Sequence, residues 1–282
     1  MNYLYALVAG LYLGVPIALT ATVPTKLNYT LFNPTPPSVM RELSTDRPDQ
    51  TESPYTVDAG HFQIELDMAK GSWDHDKATG NDLVSREQNF ANANLKIGLT
   101  NSIDLQLIAT PFNSTEAEDR VSNTTIKSTG FGDFSTRLKI NVWGNDEGDS
   151  AFAIMPFIKW PLPVSAIRNG KTEGGIIFPY SRALSETMGL GTMLELDFVS
   201  NGAILETEYF TTATVSQTFS EQLGGYVEIA VRLIPNAPWQ SQFDLGTTYG
   251  FSDDLQFDVG ANIGFTPDAP DLTVFAGITW RR

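Results

Sequence analysis

Apolar and polar residues alternate along most of this chain after Gly60. In the run from Asp254 to Phe265, Leu255, Phe257, Val259, Ala261, Ile263 and Phe265 are apolar, with Gln256, Asp258, Gly260, Asn262 and Gly264 between them. Successive side chains of a strand point to opposite faces, so this run predicts a two-faced strand. The same period runs through Phe62, Ile64, Leu66 and Met68, through Leu95, Ile97 and Leu99, and through Ile103, Leu105 and Leu107. Leu138, Ile140 and Val142 carry it on, as do Ile154, Ile158 and Trp160. Later runs centre on Phe178, Leu194 and Leu196, Ala213 and Val215, Val227 to Leu233, Phe243 and Leu245, and Val274 to Trp280. The pattern predicts about twelve strands of about ten residues. That is longer than the roughly 5–6 of soluble sheets and suits a tilted strand crossing a bilayer.

Such a strand has two possible settings. In a soluble sheet the apolar face looks inward, whereas in an outer-membrane barrel it looks outward to lipid and the polar face encloses water. The polar faces here are rich in Gly, Asn, Ser, Thr and Gln, and basic residues such as Arg137 and Lys139 face several carboxylates. A crowded hydrated lumen favours small and mutually neutralising groups. The connections bear on the same question, because such barrels have short periplasmic turns and longer external loops. Counted from the first strand, the first (71–88), third (113–129) and fifth (161–174) connections read as long. The second (100–102), eighth (220–222) and tenth (252–254) read as tight, and 144–150 is a medium turn. Aromatic residues such as Trp73, Trp143, Trp160, Trp239 and Trp280 fall near strand ends. Interfacial girdles do so, although aromatics favour strands in general. The expected fold class is all-β, an antiparallel transmembrane β-barrel of about 12 strands, in preference to a soluble secreted β-protein.

The segment before the strands divides in two. Tyr3 to Val23 is apolar, and the first charge is Lys26, so residues 1–24 read as a secretory signal peptide, with an uncleaved membrane anchor as the alternative. Residues 25–58 form a Pro-rich segment with Pro34, Pro36, Pro37, Pro48 and Pro54, where regular structure is not expected. The barrel is expected over 59–282.

Composition narrows the function classes. The net charge of -15 argues against nucleic acid or an anionic lipid surface as a partner of the whole molecule. With no cysteine, the chain can form no disulfide and no thiolate site. Of its two histidines, His61 begins the first strand and His75 lies in the acidic run WDHDK. Neither has a serine two residues on, as the motif of outer-membrane phospholipases requires, and no nucleophile and base pair presents itself. Asp74, His75 and Asp76 are adjacent on an extended run and converge poorly on one ion. No enzyme activity, cofactor or metal is expected. Gly130 and Gly132 resemble part of a phosphate loop, but neither a helix nor a Lys-Ser/Thr pair follows, so a tight turn or bulge is the expectation.

Three stretches carry a family resemblance. RELSTDRPDQTESPYTVDAGHFQIELD (41–67), TGFGDFSTRLKINVW (129–143) and FAGITWRR (275–282) resemble the markers of a bacterial transporter family named for the MetA pathway of phenol degradation. The resemblance covers essentially the whole chain after the expected signal. It implies an outer-membrane β-barrel transporter, often near aromatic-degradation functions, with no catalytic residues to carry over. One departure is that Arg281 and Arg282 follow Trp280 where such barrels commonly finish on an aromatic residue.

The functional expectation is a porin-like, monomeric Gram-negative outer-membrane barrel whose partners are membrane lipid and a small solute of hydrophobic or aromatic character. A blocked structural or surface-display barrel is the alternative. Candidate pore-lining residues are the inward charges Glu65, Asp67, Lys96, Asp104, Arg137, Lys139, Glu195, Asp197, Glu228, Arg232, Asp244 and Asp258. Their carboxylate excess favours cations or neutral solutes, although many lumenal charges merely satisfy one another. A lumen of about twelve strands should be narrow and easily blocked. Asp46, Arg47, Asp49 and Glu52 are candidates for a plug that pairs with Arg137, Lys139, Glu65 or Asp67. The plainer alternative is a linker that caps the periplasmic mouth.

Overall fold

A computed structural model describes residues 26–282 of the chain except 78, 79, 162–170, 201 and 203. The expected signal segment therefore lies outside the described residues. The strands are β1 (Phe62–Asp76), β2 (Leu83–Phe90), β3 (Asn92–Thr100), β4 (Ile103–Ala109), β5 (Phe112–Asp119), β6 (Thr124–Gly130), β7 (Phe134–Trp143) and β8 (Ser150–Trp160). They continue as β9 (Glu173–Ala183), β10 (Met188–Ser200), β11 (Leu205–Thr218), β12 (Leu223–Leu233), β13 (Gln240–Ser252), β14 (Leu255–Gly264) and β15 (Leu272–Arg281).

These strands make twelve staves of one closed antiparallel barrel. β1 pairs with β3 along its first half and with β2 along its second, so β2 and β3 are two halves of one stave. β4 and β5 share the next stave, and β6 and β7 the one after, because β3 pairs β4, β4 pairs β7, β2 pairs β5 and β5 pairs β6. From β7 to β15 each strand pairs with its successor, and β15 closes on β1 with Gln63 opposite Arg281. Closure removes the free edges at the level of β1, β3, β4 and β7, while β6 pairs only with β5 among the described strands.

The sequence breaks the three double staves at one level. Ala91 takes a left-handed φ of 58° between β2 and β3. Thr110 and Pro111 separate β4 from β5, and Pro111 has no N–H to give the ladder. Phe131, Gly132 and Asp133 separate β6 from β7, with Gly132 N–H donating to the Thr110 carbonyl at 2.8 Å. The glycine pair at 130 and 132 thus belongs to an interruption of the ladder. The first and third connections differ from expectation for the same reason. Most of 71–88 and 113–129 is paired strand that extends the wall, so the turns there are short. Part of the fifth connection lies outside the described residues.

The two faces take opposite environments to those of a soluble sheet. Large apolar side chains on the outer face are exposed, among them Leu194, Val227, Ile229, Leu245, Ile263 and Val259, the last at 54%. Gln63, Glu65, Lys96, Asp104, Lys139, Glu228, Asp244 and Asp258 on the inner face are buried. Hydrocarbon outside and hydrogen-bonding groups within meet each face's solvation need. One inner patch departs from this rule: Met155, Ile177, Met193, Phe210 and Ala230 pack together, with Phe157 against them. The closing Arg281 turns inward and donates to Asp254 Oδ1 at 2.8 Å, while Trp280 stays on the exposed face.

Candidate functional site: the lumen and its strap

Residues 41–58, here called the strap, leave the end of the barrel where β1 begins, reach mid-lumen and return. Lys26, Arg41 and Asp58 meet at that near end. Arg41 N–H donates to Asp58 Oδ2 at 2.9 Å, and Lys26 Nζ lies 3.2 Å from Asp58 and 3.0 Å from Asp146. Arg41 also binds Asp146 at 2.8 Å and Asn101 at 3.0 Å, which ties it to the β7–β8 and β3–β4 turns. The returning limb presses on β3 so closely that a Cβ on Gly98 would fall 2.0 Å from the Asp58 carbonyl oxygen. Only glycine permits that approach.

Having no regular structure, the strap pairs some of its backbone N–H groups with its own side chains, as Ser53 does with Asp46, and the wall must satisfy others. Among the wall acceptors carboxylates are the commonest. Asp46 N–H donates to Glu65 at 3.0 Å, Gln50 N–H to Glu228 at 2.8 Å and Val57 N–H to Asp104 at 3.0 Å. Thr56 N–H donates to Asn145 at 3.1 Å, and Asn141 Nδ2 donates to the Pro54 carbonyl at 2.9 Å. The acidic bias of the lumen thus has a local use: an ionised carboxylate accepts several hydrogen bonds and donates none.

Side-chain charges hold the innermost turn. Asp46 is clamped between Lys96 and Lys139, the latter at 2.7 Å, and both lysines are almost fully buried. Lys96 also pairs with Glu65. Arg47 reaches across the lumen to Asp67 on β1 and Asp258 on β14, the second at 2.6 Å. Its guanidinium occupies the hollow over Gly277, where a Cβ would fall 2.1 Å from Nη2, and lies over the Phe275 ring at 5.8 Å. Glu52 pairs with Arg137, which lies 5.6 Å from the Phe157 ring centre. Gln50 Nε2 donates to Asp244 at 2.6 Å, and Thr51 bonds Thr212 and Glu228. Asp46, Arg47 and Glu52 thus each meet an opposite charge, whereas the buried Glu228 and Asp244 are met by neutral donors of the strap.

All twelve inward charges singled out in the sequence lie on the inner face, but they divide into two groups. Glu65, Asp67, Lys96, Asp104, Arg137, Lys139, Glu228, Asp244 and Asp258 contact the strap or a group that does. Asp197 and Arg232 form a separate wall pair at 2.9 Å, with Arg232 over the Phe210 ring at 4.6 Å. Glu195 stands on β10 opposite Phe210. Among the strap candidates, Asp46, Arg47 and Glu52 pair with wall charges, and Lys96 and Asp258 join the partners expected for them. Asp49 forms no ion pair among the described residues and faces the cleft beside Thr214. The wall groups Gln63, Gln106, Asn101, Asn141 and Asn145, and Arg41, Gln50, Thr51 and Thr56 of the strap, were not anticipated. Gln63, Gln106 and Asn141 were within reach, since each stands two residues from a charge already placed inward. His61 Nε2 lies 2.7 Å from the Thr35 carbonyl and His75 Nε2 lies 2.7 Å from Asp82. Among the described residues no group of three or more His, Asp or Glu is placed to hold a metal.

Comparison with known proteins adds the family. Residues 45–282 match the model described as "Putative MetA-pathway of phenol degradation". The chain belongs to this family. A search of curated proteins finds no sequence match. Among solved structures the chain is similar in fold to the porin NanC, with TM-score 0.51 and 8% identity, covering 77% of this chain and 98% of that one. The KdgM porin gives TM-score 0.46 and 9% identity over 77% and 98% of the two chains. The toluene transporter TbuX of Ralstonia pickettii gives 0.46 and 8% over 79% and 88%. At these identities the likeness is one of fold. The family match independently covers the strap from residue 45 together with the whole barrel.

Proposed function

We propose that this family member is a bacterial outer-membrane transporter, acting as a monomer, that passes a small solute through a narrow lumen in which the strap is a plug. The single observation behind this reading is the reach of residues 46–52 across the lumen, bonded to β1, β3, β7, β11, β12, β13 and β14. A linker that merely capped the mouth would meet only the rim. The exposed apolar belt fits hydrocarbon, and the near end, where the strap enters, is the periplasmic side. The fold likeness to porins and the family's description support a transport role. The patch of Met155, Ile177, Met193 and Phe210 on the inner wall supports a solute of hydrophobic or aromatic character.

Deletion of residues 41–54 tests the plug. Single-channel conductance should rise in the deleted protein, and unchanged conductance would remove the idea. Liposome swelling with graded solutes tests transport itself. Flux no greater than that of bare lipid in both proteins would favour a blocked surface-display barrel. Membrane fractionation with heat-modifiable gel mobility tests location and closure together.

A further inference from the structure

The strap does not fill the lumen evenly. Between it and the β9–β14 side an open cleft of about 490 Å³ runs from mid-lumen to the near end. That volume lies within the roughly 300–1,000 Å³ of ordinary small-molecule sites. Its chemistry differs from the rest of the interior. The lining offers the hydroxyls of Tyr55, Thr214, Ser216, Tyr226 and Thr248 and the amide of Gln256. Arg47 and Glu52 reach its inner end, but Asp67, Asp258 and Arg137 already engage them; the Asp49 carboxylate also faces the cleft, and Arg182, paired with Asp149, and Glu186 stand at its outer end. Gln256 Nε2 is buried and makes no hydrogen bond among the described residues.

Glycine leaves the wall of this cleft shallow. Gly189 and Gly191 on β10 and Gly224 on β12 flank the hydroxyls of β11. A Cβ on Gly189 would meet Ser216 Oγ at 2.8 Å, and one on Gly224 would meet Thr248 Oγ1 at 2.8 Å. Larger residues there would grow into the cleft. Neutral donors and acceptors replace the water shell of an uncharged hydroxyl-bearing molecule, whereas an anion would meet the Asp49 carboxylate and, among the described residues, no cation that is not already paired.

We infer that this cleft is the periplasmic half of the solute path, and that it admits small uncharged hydroxyl-bearing molecules while the strap stays seated. The inference rests on the transport reading and adds to it a route and a solute class.

Swelling of proteoliposomes in L-arabinose and in sodium gluconate tests it, with Gly189→Trp and Gly224→Trp beside the wild type. Heat-modifiable mobility checks that each variant folds. The chain has no cysteine, so Ser216→Cys provides a second route: it folds unobstructed and is then blocked by a bulky methanethiosulfonate reagent. The expected result is arabinose flux well above gluconate flux in the wild type. Either tryptophan, or the reagent on Cys-substituted protein, should lower arabinose flux at least about fivefold by narrowing the path. Gluconate flux equal to arabinose flux, or arabinose flux untouched by the blocks, would overturn the inference. If the wild type passes neither while the 41–54 deletion passes arabinose, the cleft route falls and the plugged transporter stands. If neither protein passes either solute, the transport reading falls as well.

Discussion

Two stretches of the lumenal wall hold the strap by different means. On β3 and β7, Lys96, Arg137 and Lys139 grip Asp46 and Glu52, on β1 Asp67 holds Arg47, and Lys96 and Lys139 are sealed from solvent. On β11 to β13 the grip is neutral on the strap's side. There Gln50 and Thr51 donate to wall carboxylates, and the Tyr226 hydroxyl reaches the Pro48 carbonyl at only 3.4 Å. Below that second contact the wall recedes into glycines and hydroxyls and leaves the cleft. The contrast follows from the energetics of buried charge. An ion that loses its partner inside a protein is strongly destabilising, whereas a single hydrogen bond from a neutral donor to a carboxylate contributes less. The first wall therefore fixes where the strap sits, and the second leaves room beside it.

Removal of the shared anion should have the largest effect. Asp46→Ala leaves Lys139 and part of the charge of Lys96 unpaired in the buried interior. It should destabilise the folded barrel by up to about 3–5 kcal/mol. Gln50→Ala, at the opposite wall, should cost less, about 1.5–3 kcal/mol, because its amide donates to the buried Asp244 carboxylate. Urea unfolding of refolded protein in vesicles measures both. Equal losses would erase the distinction between the walls.

The outer and inner faces of one strand give a second contrast. Val259→Arg on β14 places a cation in hydrocarbon near mid-height and should cost about 2–4 kcal/mol. Arginine in place of Asn262, three residues on and on the inner face, should be much milder, because carboxylates and water are within its reach. The same unfolding assay compares them, and similar losses would contradict the assignment of faces.

Period-2 alternation carried most of the architecture, because lipid outside and water inside impose the same alternation on every stave. It also placed the inward charges, since a residue's face follows from its parity once one neighbour is fixed. Two things escaped it. Paired strands that run into the expected loops, as at 71–76 and 113–119, are mostly polar, with Trp73 the one large apolar side chain, and look like loop in sequence. The inner apolar patch keeps parity but departs from the polar-inside rule: Ile177 and Phe210 lie next to outward Phe178 and Tyr209, and an apolar run does not say which member turns in. The strap was harder still. Its charges could be suspected of pairing, but which wall residue each meets depends on long-range geometry, as with Arg47 and Asp258. Asp49 showed the limit, being as acidic in sequence as Asp46 yet set beside Thr214 with no cation.

The smallest effect should separate the two walls where they reach the near-end rim. Asp146 anchors the strap's entry beneath the first wall. Burial opposes its ionised form, but hydrogen bonds from Asn101 and Lys26 and the charge of Arg41 hold its carboxyl below the usual range. A carboxyl depressed on folding stabilises the fold at pH values above its unfolded pKa of about 3.9, and that contribution fades as pH falls through the lower folded value. Asp146→Asn should therefore cost up to about 1 kcal/mol at neutral pH, because the site is partly exposed and screened. The difference from wild type should shrink toward zero in strong acid. Asp149, at the other end of the same turn, faces Arg182 at 3.6 Å with both side chains largely in solvent. Asp149→Asn should change stability by only a few tenths of a kcal/mol at any pH. Unfolding midpoints of the two variants across an acid titration make the comparison. If Asp149→Asn were as costly as Asp146→Asn at neutral pH, anchorage of the strap would not depend on the Arg41 and Lys26 cluster.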